Sequence, residues 1–254
     1  MNISSIGSQG LYNSYEQIAS GKRINSAADD AAGLAIAEKL ETQSNGYDVG
    51  RNNAATSQSM LNVADGALAS ITDSLQRIRD LSIQASNTAI YGDSEISAMQ
   101  QEIDLLKQDI SDIAANTQFN TMNIIDGSMN NFHTASSPDG SGMDFDMPNA
   151  TLAALGITDY DVTGSFDISV IDKALEKVTS ARSDIGARSN RLGYAMNFNA
   201  SASYNLTASR STIEDLDMPK AISDLEKKRL LQEYQIMMMK KKQEDEAGIL
   251  RMFK

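Results

Sequence analysis

The sequence lacks the residues on which most catalytic and metal sites depend. Its 254 residues include no cysteine, no tryptophan and one histidine, His133. The absence of cysteine excludes disulfide bonds, cysteine-ligated zinc, iron–sulfur clusters and a thiol nucleophile. With one histidine, an H-E-x-x-H zinc motif cannot occur, and a Ser-His-Asp triad would depend entirely on His133. We therefore predict that the chain is not an enzyme and has no cofactor, metal site or catalytic residue.

Proline and aromatic residues are also scarce. The chain has three prolines, and aromatic residues make up 6% of it. Aromatic side chains usually supply much of the buried area of a compact enzyme core. The composition instead favours long helices that pack through small and aliphatic residues.

Basic residues are nearly absent from the middle of the chain. Residues 93–170 contain 13 acidic residues and one basic residue, Lys107, so this segment alone accounts for the net charge of −12. Such a surface repels phosphate backbones, and no basic stripe with interleaved aromatic residues occurs elsewhere. We therefore predict no nucleic-acid binding.

Long hydrophobic runs are missing too. The longest run of small apolar residues, at 31–37, is far shorter than the ~20 residues that span a bilayer. The first basic residue is Lys22, and the segment before it is polar, unlike a cleavable secretory signal. We expect no membrane insertion, and a route of export that needs no cleavable signal peptide.

Heptad spacing is the strongest positive signal. Apolar residues recur at alternating steps of three and four from about residue 54 to 90, with Ser82 as the only polar break. A turn at 91–93 is followed by a second run of the same period. The spacing predicts two antiparallel helices. Their packing seam is expected to consist of Leu61, Leu68, Ile71, Leu75, Ile78, Ile96, Ile103, Leu106 and Ile110.

The C-terminal half repeats this pattern with more polar interruptions. Ile185 and Leu192 belong to a heptad frame that runs from residue 171 to 213, and Arg182 and Asn199 are among its polar members. The frame predicts a long helix that packs on more than one face. Pro219 predicts a kink or break before a last helix. The apolar residues expected to act in assembly and chaperone binding there are Ile222, Leu225, Leu231, Tyr234 and Met238.

The predicted fold is mainly α. Long antiparallel helices from the N- and C-terminal halves form a coiled-coil-like bundle, with a small β-hairpin at TQFNTMNIIDGS and an otherwise irregular insert. The predicted segments are a terminal helix with its linker, two halves of a helical layer flanking the insert, and a C-terminal core helix. Their ranges are 1–42, 43–115, 116–170, 171–216 and 217–254.

Five stretches in the same order resemble one protein family. ASGKRINSAADDAAGLAIAEKL at 19–40 closely resembles the N-terminal signature of bacterial flagellin, and ADGALASITDSLQRIRDLSIQASN at 64–87 resembles its next segment. NTQFNTMNIIDGS at 116–128 resembles its hairpin, and ARSDIGARSNRL at 181–192 and LLQEYQIMM at 230–238 resemble its C-terminal helices. The chain resembles a short flagellin without large outer domains.

The resemblance implies a structural role outside the cell. A flagellin is exported unfolded through the flagellar type III apparatus, with an export chaperone on its C-terminal helix, and polymerises beneath a cap onto the junction proteins. Flagellins are also ligands of Toll-like receptor five, and that motif matches at Arg77, Leu81 and Glu102. The sequence leaves two alternatives open: a hook-filament junction protein, or a surface protein acting mainly as a receptor ligand or adhesin.

Overall fold

The computed structural model describes residues 3–252 and, of these, the side chains of residues 10–247. Helices dominate the chain, as the periodicity predicts, and the strands are short. The helices are α1 (Ile3–Ser20), α2 (Ala31–Ala85), α3 (Asp93–Asn116), α4 (Leu152–Leu155), α5 (Ser169–Glu214) and α6 (Met218–Met252). The strands are β1 (Gln118–Phe119), β2 (Met122–Asn123), β3 (Phe132–Ala135) and β4 (Gly142–Phe145).

The residues form two compact units. The terminal unit comprises residues 1–44 and 204–254, and the central unit comprises residues 45–203. Helices α2 and α5 contribute to both units, since each contains residues on either side of the division.

The heptad seam forms the core of the central unit. Seven of the nine seam residues of α2 and α3 are almost fully buried, and Ile96 and Leu106 are partly buried against the same cluster. Ile185 and Leu192, the predicted packing residues of α5, are buried in that cluster as well. Burying an aliphatic side chain of this size stabilises a fold by about 1.5–3 kcal/mol. The hydrophobic seam is therefore the main source of stability in this unit.

Ser82, the polar break in the seam, has a buried partner. Its Oγ donates to the carbonyl of Ile78 at 2.7 Å and accepts a hydrogen bond from Tyr160 Oη at 2.9 Å. Tyr160 comes from the insert, and its burial is the main cause of its raised pKa. The insert thus satisfies the one polar group that interrupts the seam.

Helix α2 begins much earlier than the heptad pattern predicts. The pattern places the start near residue 54, whereas the helix begins at Ala31. Asp30 accepts a hydrogen bond from the Gly33 amide at 2.8 Å, which caps the first turn. Three glycines, Gly33, Gly46 and Gly50, lie near the start of α2 and obscure the apolar periodicity, although the helix continues through them.

The insert contains two hairpins. The first, β1–β2, forms as predicted, and its two-residue turn holds Asn120 and Thr121 at positive φ. The second, β3–β4, was not predicted and lies in the segment expected to be irregular. Its strands of four residues are too short for a clear alternating pattern.

The second hairpin packs on α2 and α5 within the central unit. Asn53 Nδ2 donates to the carbonyl of Ala135 at 3.0 Å, and Asn199 Nδ2 donates to the carbonyl of Ser136 at 2.7 Å. A Cβ at Gly50 would lie 2.4 Å from the Ser136 oxygen, so only glycine allows this approach. The polar residue Asn199 in the α5 frame is therefore explained by a hydrogen bond to the insert.

Candidate assembly and recognition surfaces

The two linkers of the terminal unit pair with each other. Residues 21–23 follow α1, and residues 213–216 span the end of α5 and the start of its connection to α6. The Arg23 amide donates to the Glu214 carbonyl at 2.7 Å, and the Leu216 amide donates to the Gly21 carbonyl at 2.9 Å. The helical conformation is interrupted between α5 and α6 at residues 215–217. Pro219 occupies the first turn of α6, where its missing amide hydrogen is tolerated.

Glu214 holds an ion-pair network at this linker pair. Its carboxylate is nearly buried and lies 2.5 Å from Lys22 Nζ and 2.9 Å from Arg210 Nε. Arg210 also contacts Glu41 at 3.3 Å. The hydrogen bond from Lys22 is the largest cause of the lowered pKa of Glu214, and burial opposes it. The network ties α2 and α5 to the linker within the terminal unit.

The signature stretch before α2 is stabilised by its own acids. Asp29 accepts hydrogen bonds from the amides of Asn25 at 3.0 Å and Ser26 at 2.9 Å, which lower its pKa. Ile24 is buried beside them. These acids shape the turn that leads into α2.

Helix α6 buries little of its apolar surface in the monomer. Leu225 is 8% exposed, and Lys228 Nζ donates to Ser14 Oγ of α1 at 2.7 Å. The other apolar side chains of α6 that were expected to act in assembly are about half exposed or more. They are Ile222 (48%), Leu231 (61%), Tyr234 (59%) and Met238 (50%), and Leu230, Ile236, Met237 and Met239 are exposed as well. Large exposed apolar surfaces are uncommon on free proteins and are typical of surfaces that bind another protein.

Arg77 and Glu102 form a charged pair on the surface of the central unit. Arg77 lies on α2 and Glu102 on α3, and Arg77 Nε and Nη2 each lie 2.7 Å from Glu102 Oε1. Both side chains are more than 40% exposed. Leu81, one turn after Arg77, is only 2% exposed. Leu81 therefore packs in the core, and only the charged pair presents itself to a partner.

Both ring nitrogens of His133 have a hydrogen-bond partner within the second hairpin. Its Nδ1 lies 2.5 Å from Asp144 Oδ1 across the second hairpin, and its Nε2 lies 3.1 Å from the Gly140 carbonyl. Both neighbours accept hydrogen bonds and so favour the doubly protonated ring, and the Asp144 contact is the main cause of the raised pKa. Among the described residues, no group of three or more His, Cys, Asp or Glu side chains is arranged to hold a metal ion.

The described helices also include none that is long and apolar enough to cross a membrane. Two surfaces of the described residues stand out by their exposure: the apolar side chains of α6 and the pair of Arg77 with Glu102. Neither arrangement contains a nucleophile placed beside a base. Both are suited to binding another macromolecule.

Comparison with protein families gives two matches. The model of the bacterial flagellin N-terminal helical region matches residues 1–130, and that of the C-terminal helical region matches residues 168–253. The chain is 35% identical over 237 residues to the flagellar filament 33 kDa core protein of Treponema phagedenis, covering 85% of this chain and 82% of that protein. It is 31% identical to the flagellin of Bacillus subtilis, covering 94% of this chain and 91% of that protein.

Solved structures give a similar result. The crystal structure of Bacillus cereus flagellin superposes with a TM-score of 0.51 at 26% identity, over 58% of this chain and 88% of that one. A putative flagellar hook-associated protein from Vibrio parahaemolyticus superposes with a TM-score of 0.62 at 16% identity, over 74% of this chain and all of that one. The second match is a likeness of fold alone.

Proposed function

Because the chain belongs to the bacterial flagellin family, we propose that it polymerises into the flagellar filament and thereby serves motility. Its relatives are structural proteins and not enzymes, in agreement with the prediction of no enzymatic activity. The filament is extracellular, and this is the location proposed for the chain. The observation that carries the proposal is the exposed apolar surface of α6 in a chain whose two ends both match flagellin.

Self-association through α6 has a simple physical basis. A filament grows when subunits bury apolar helix faces against neighbours related by a rotation that does not close into a ring. Burying one exposed leucine fully contributes about 1.5–3 kcal/mol. Several residues of α6 are about half exposed, so their burial against further copies of this chain would favour association and oppose the entropy that each subunit loses on binding.

A charge on the α6 surface tests this role. Leu231→Glu replaces a 61% exposed leucine and is expected to raise the critical concentration for polymerisation at least tenfold, the equivalent of about 1.4 kcal/mol. The matched control is Ile90→Glu, in the turn between α2 and α3, where Ile90 is 73% exposed. Sedimentation of seeded samples measures both. Equal critical concentrations for Leu231→Glu and the unmutated chain would remove α6 from the assembly surface.

The same residues of α6 are the proposed contact for an export chaperone. An exposed apolar helix in a monomer needs protection from premature association before export through the type III apparatus. In cells without the filament cap, where monomers escape into the medium, Leu231→Glu should lower the amount secreted, and Ile90→Glu should not. Equal secretion of the two variants would show that the export chaperone does not bind this surface of α6.

Recognition by Toll-like receptor five is proposed at the exposed pair of Arg77 and Glu102. Leu81, the third residue of the motif, is buried one helical turn after Arg77 and does not face a partner directly. Arg77→Ala and Glu102→Ala are each expected to reduce receptor activation by at least tenfold in reporter cells. The control is Arg79→Ala. This change removes a similarly exposed ion pair, in which Arg79 Nε of α2 lies 2.7 Å from Asp172 of α5. Unchanged activation by both test variants would refute this site.

The two alternatives are less well supported. The likeness to a hook-associated protein is at 16% identity, whereas the similarity to filament proteins reaches 35% over most of the chain. A role mainly as a receptor ligand or adhesin predicts that assembly is dispensable. The polymerisation assay therefore separates it from the filament subunit.

A further inference from the structure

We propose that the three consecutive residues Met237–Met239 are an oxidation site whose conversion to methionine sulfoxide blocks assembly, an inference that rests on the proposed function of α6. Their side chains are 62%, 50% and 46% exposed. The chain has 13 methionines and no cysteine, so thioethers are its only oxidisable sulfur groups. The structure therefore concentrates accessible sulfur in one segment of α6.

Most other methionines are better protected. Met60 in the central core is 1% exposed, and Met143 and Met147 in the insert are 8% and 5% exposed. Outside α6, Met122 at 43% is the one with comparable exposure among the described side chains. Since oxidation of methionine follows exposure, an oxidant of limited dose should modify Met237–Met239 before the buried residues.

Two of the three methionines, Met237 and Met238, lie within the proposed assembly surface. Met237 and Met238 follow Tyr234 by three and four residues, and Leu230 precedes Tyr234 by four, so these side chains share one stripe of α6. All four are at least 50% exposed. A change of polarity at the methionines therefore alters the same surface that is expected to become buried between subunits.

The chemistry requires an external hydroperoxide. The thioether sulfur attacks one peroxide oxygen, the O–O bond breaks, and a sulfur–oxygen bond forms. The sulfur is oxidised by two electrons as the peroxide is reduced. The departing peroxide oxygen takes up the proton from the oxygen now bound to sulfur and leaves as an alcohol, or as water when the oxidant is hydrogen peroxide. The product is a polar, chiral sulfoxide, which disrupts apolar interfaces and is reversed by methionine sulfoxide reductases.

The polymer should protect what the monomer exposes. Burial of the stripe between subunits would exclude the hydroperoxide, so Met237 and Met238 should be oxidised at least fivefold more slowly in filaments than in monomers. Met122 lies in β2, outside this stripe, and serves as the internal reference for accessibility. Oxidation would thus act on newly exported subunits and spare those already assembled.

The test compares the full chain with a variant that keeps the apolar surface. Met237→Leu, Met238→Leu and Met239→Leu together retain size and helix propensity but remove the sulfur. Met122→Leu is the matched control. Each monomer is treated with hydrogen peroxide, sulfoxides are mapped by peptide mass spectrometry, and the critical concentration is measured by sedimentation before and after treatment.

The expected result has three parts. Sulfoxide forms first at Met237–Met239, treated wild-type and Met122→Leu monomers show at least a tenfold higher critical concentration, and the triple-leucine variant is unaffected. Reductase treatment should restore assembly of the wild type. Sulfoxide formation at Met237–Met239 no faster than at Met60 would overturn the site, and equal loss of assembly in the triple variant would overturn its control of assembly. Untreated chain that forms no filaments would contradict the proposed function, and the mapping would then decide the oxidation site alone.

Discussion

Shortening one seam residue tests the core of the central unit most sharply. Ile71 is 0% exposed in the cluster formed by α2, α3, α5 and the insert. Ile71→Ala removes buried methyl and methylene groups and leaves a cavity, which is expected to cost about 3 kcal/mol. For a unit of this size each kcal/mol lowers the melting temperature by about 2–4 °C, so a fall of about 6–12 °C is expected. Urea and thermal unfolding followed by far-ultraviolet circular dichroism measure both quantities.

Ile83 on the same helix provides the matched control. Its side chain is 45% exposed, so Ile83→Ala removes the same atoms with little loss of buried contact and should cost less than about 1 kcal/mol. Ile71→Asp should be more severe and should prevent the helical layer from folding, because it buries an unpaired carboxylate. Equal losses of stability from Ile71→Ala and Ile83→Ala would refute the assignment of the seam.

Three further predictions concern the insert and the linker pair. Gly50→Ala should destabilise the chain by about 1–3 kcal/mol through contact with the second hairpin, whereas Gly66→Ala, with open space around its Cβ, should stabilise by about 0.5–1 kcal/mol in urea unfolding. The pKa of Glu214 is lowered by folding, so its carboxylate stabilises the folded terminal unit fully above the unfolded pKa of 4.5, and this stabilisation is lost as the pH falls through the folded pKa. Glu214→Gln should therefore make the free energy of unfolding of this unit less dependent on pH in the acid range. The pKa of His133 is raised by folding, so its protonated ring stabilises the fold fully below the unfolded pKa of 6.5, and this stabilisation is lost as the pH rises through the folded pKa. Asp144→Asn should lower the pKa of His133 measured by NMR titration. An unchanged titration of His133 would contradict the hairpin contact.

The sequence was most informative where one period extends over many residues. The heptads that contain Leu68, Ile71 and Ile103 predict α2 and α3 because each added turn repeats the same preference for burial. The break near Pro219 and the turn at Asn120 follow from local backbone restrictions. Local and periodic constraints of this kind need no knowledge of distant contacts.

Features that depend on distant partners were not predictable. The hydrogen bond between Ser82 and Tyr160 joins residues 78 positions apart, so the sequence shows only a polar interruption. The second hairpin is held by contacts to Asn53 and Asn199 on separate helices, and its short strands carry no pattern of their own. Leu81 matches the receptor motif, but it is 2% exposed and belongs to the core cluster, which the motif does not show.

Polymerisation of the purified chain tests the central claim most directly. Monomer is mixed with short seeds and a precipitating salt, and the pellet is imaged by negative-stain electron microscopy. The account predicts long filaments of uniform width that disappear with Leu231→Glu and persist with Ile90→Glu. A chain that remains monomeric in the presence of seeds and of the filament cap would contradict its assignment as a filament subunit.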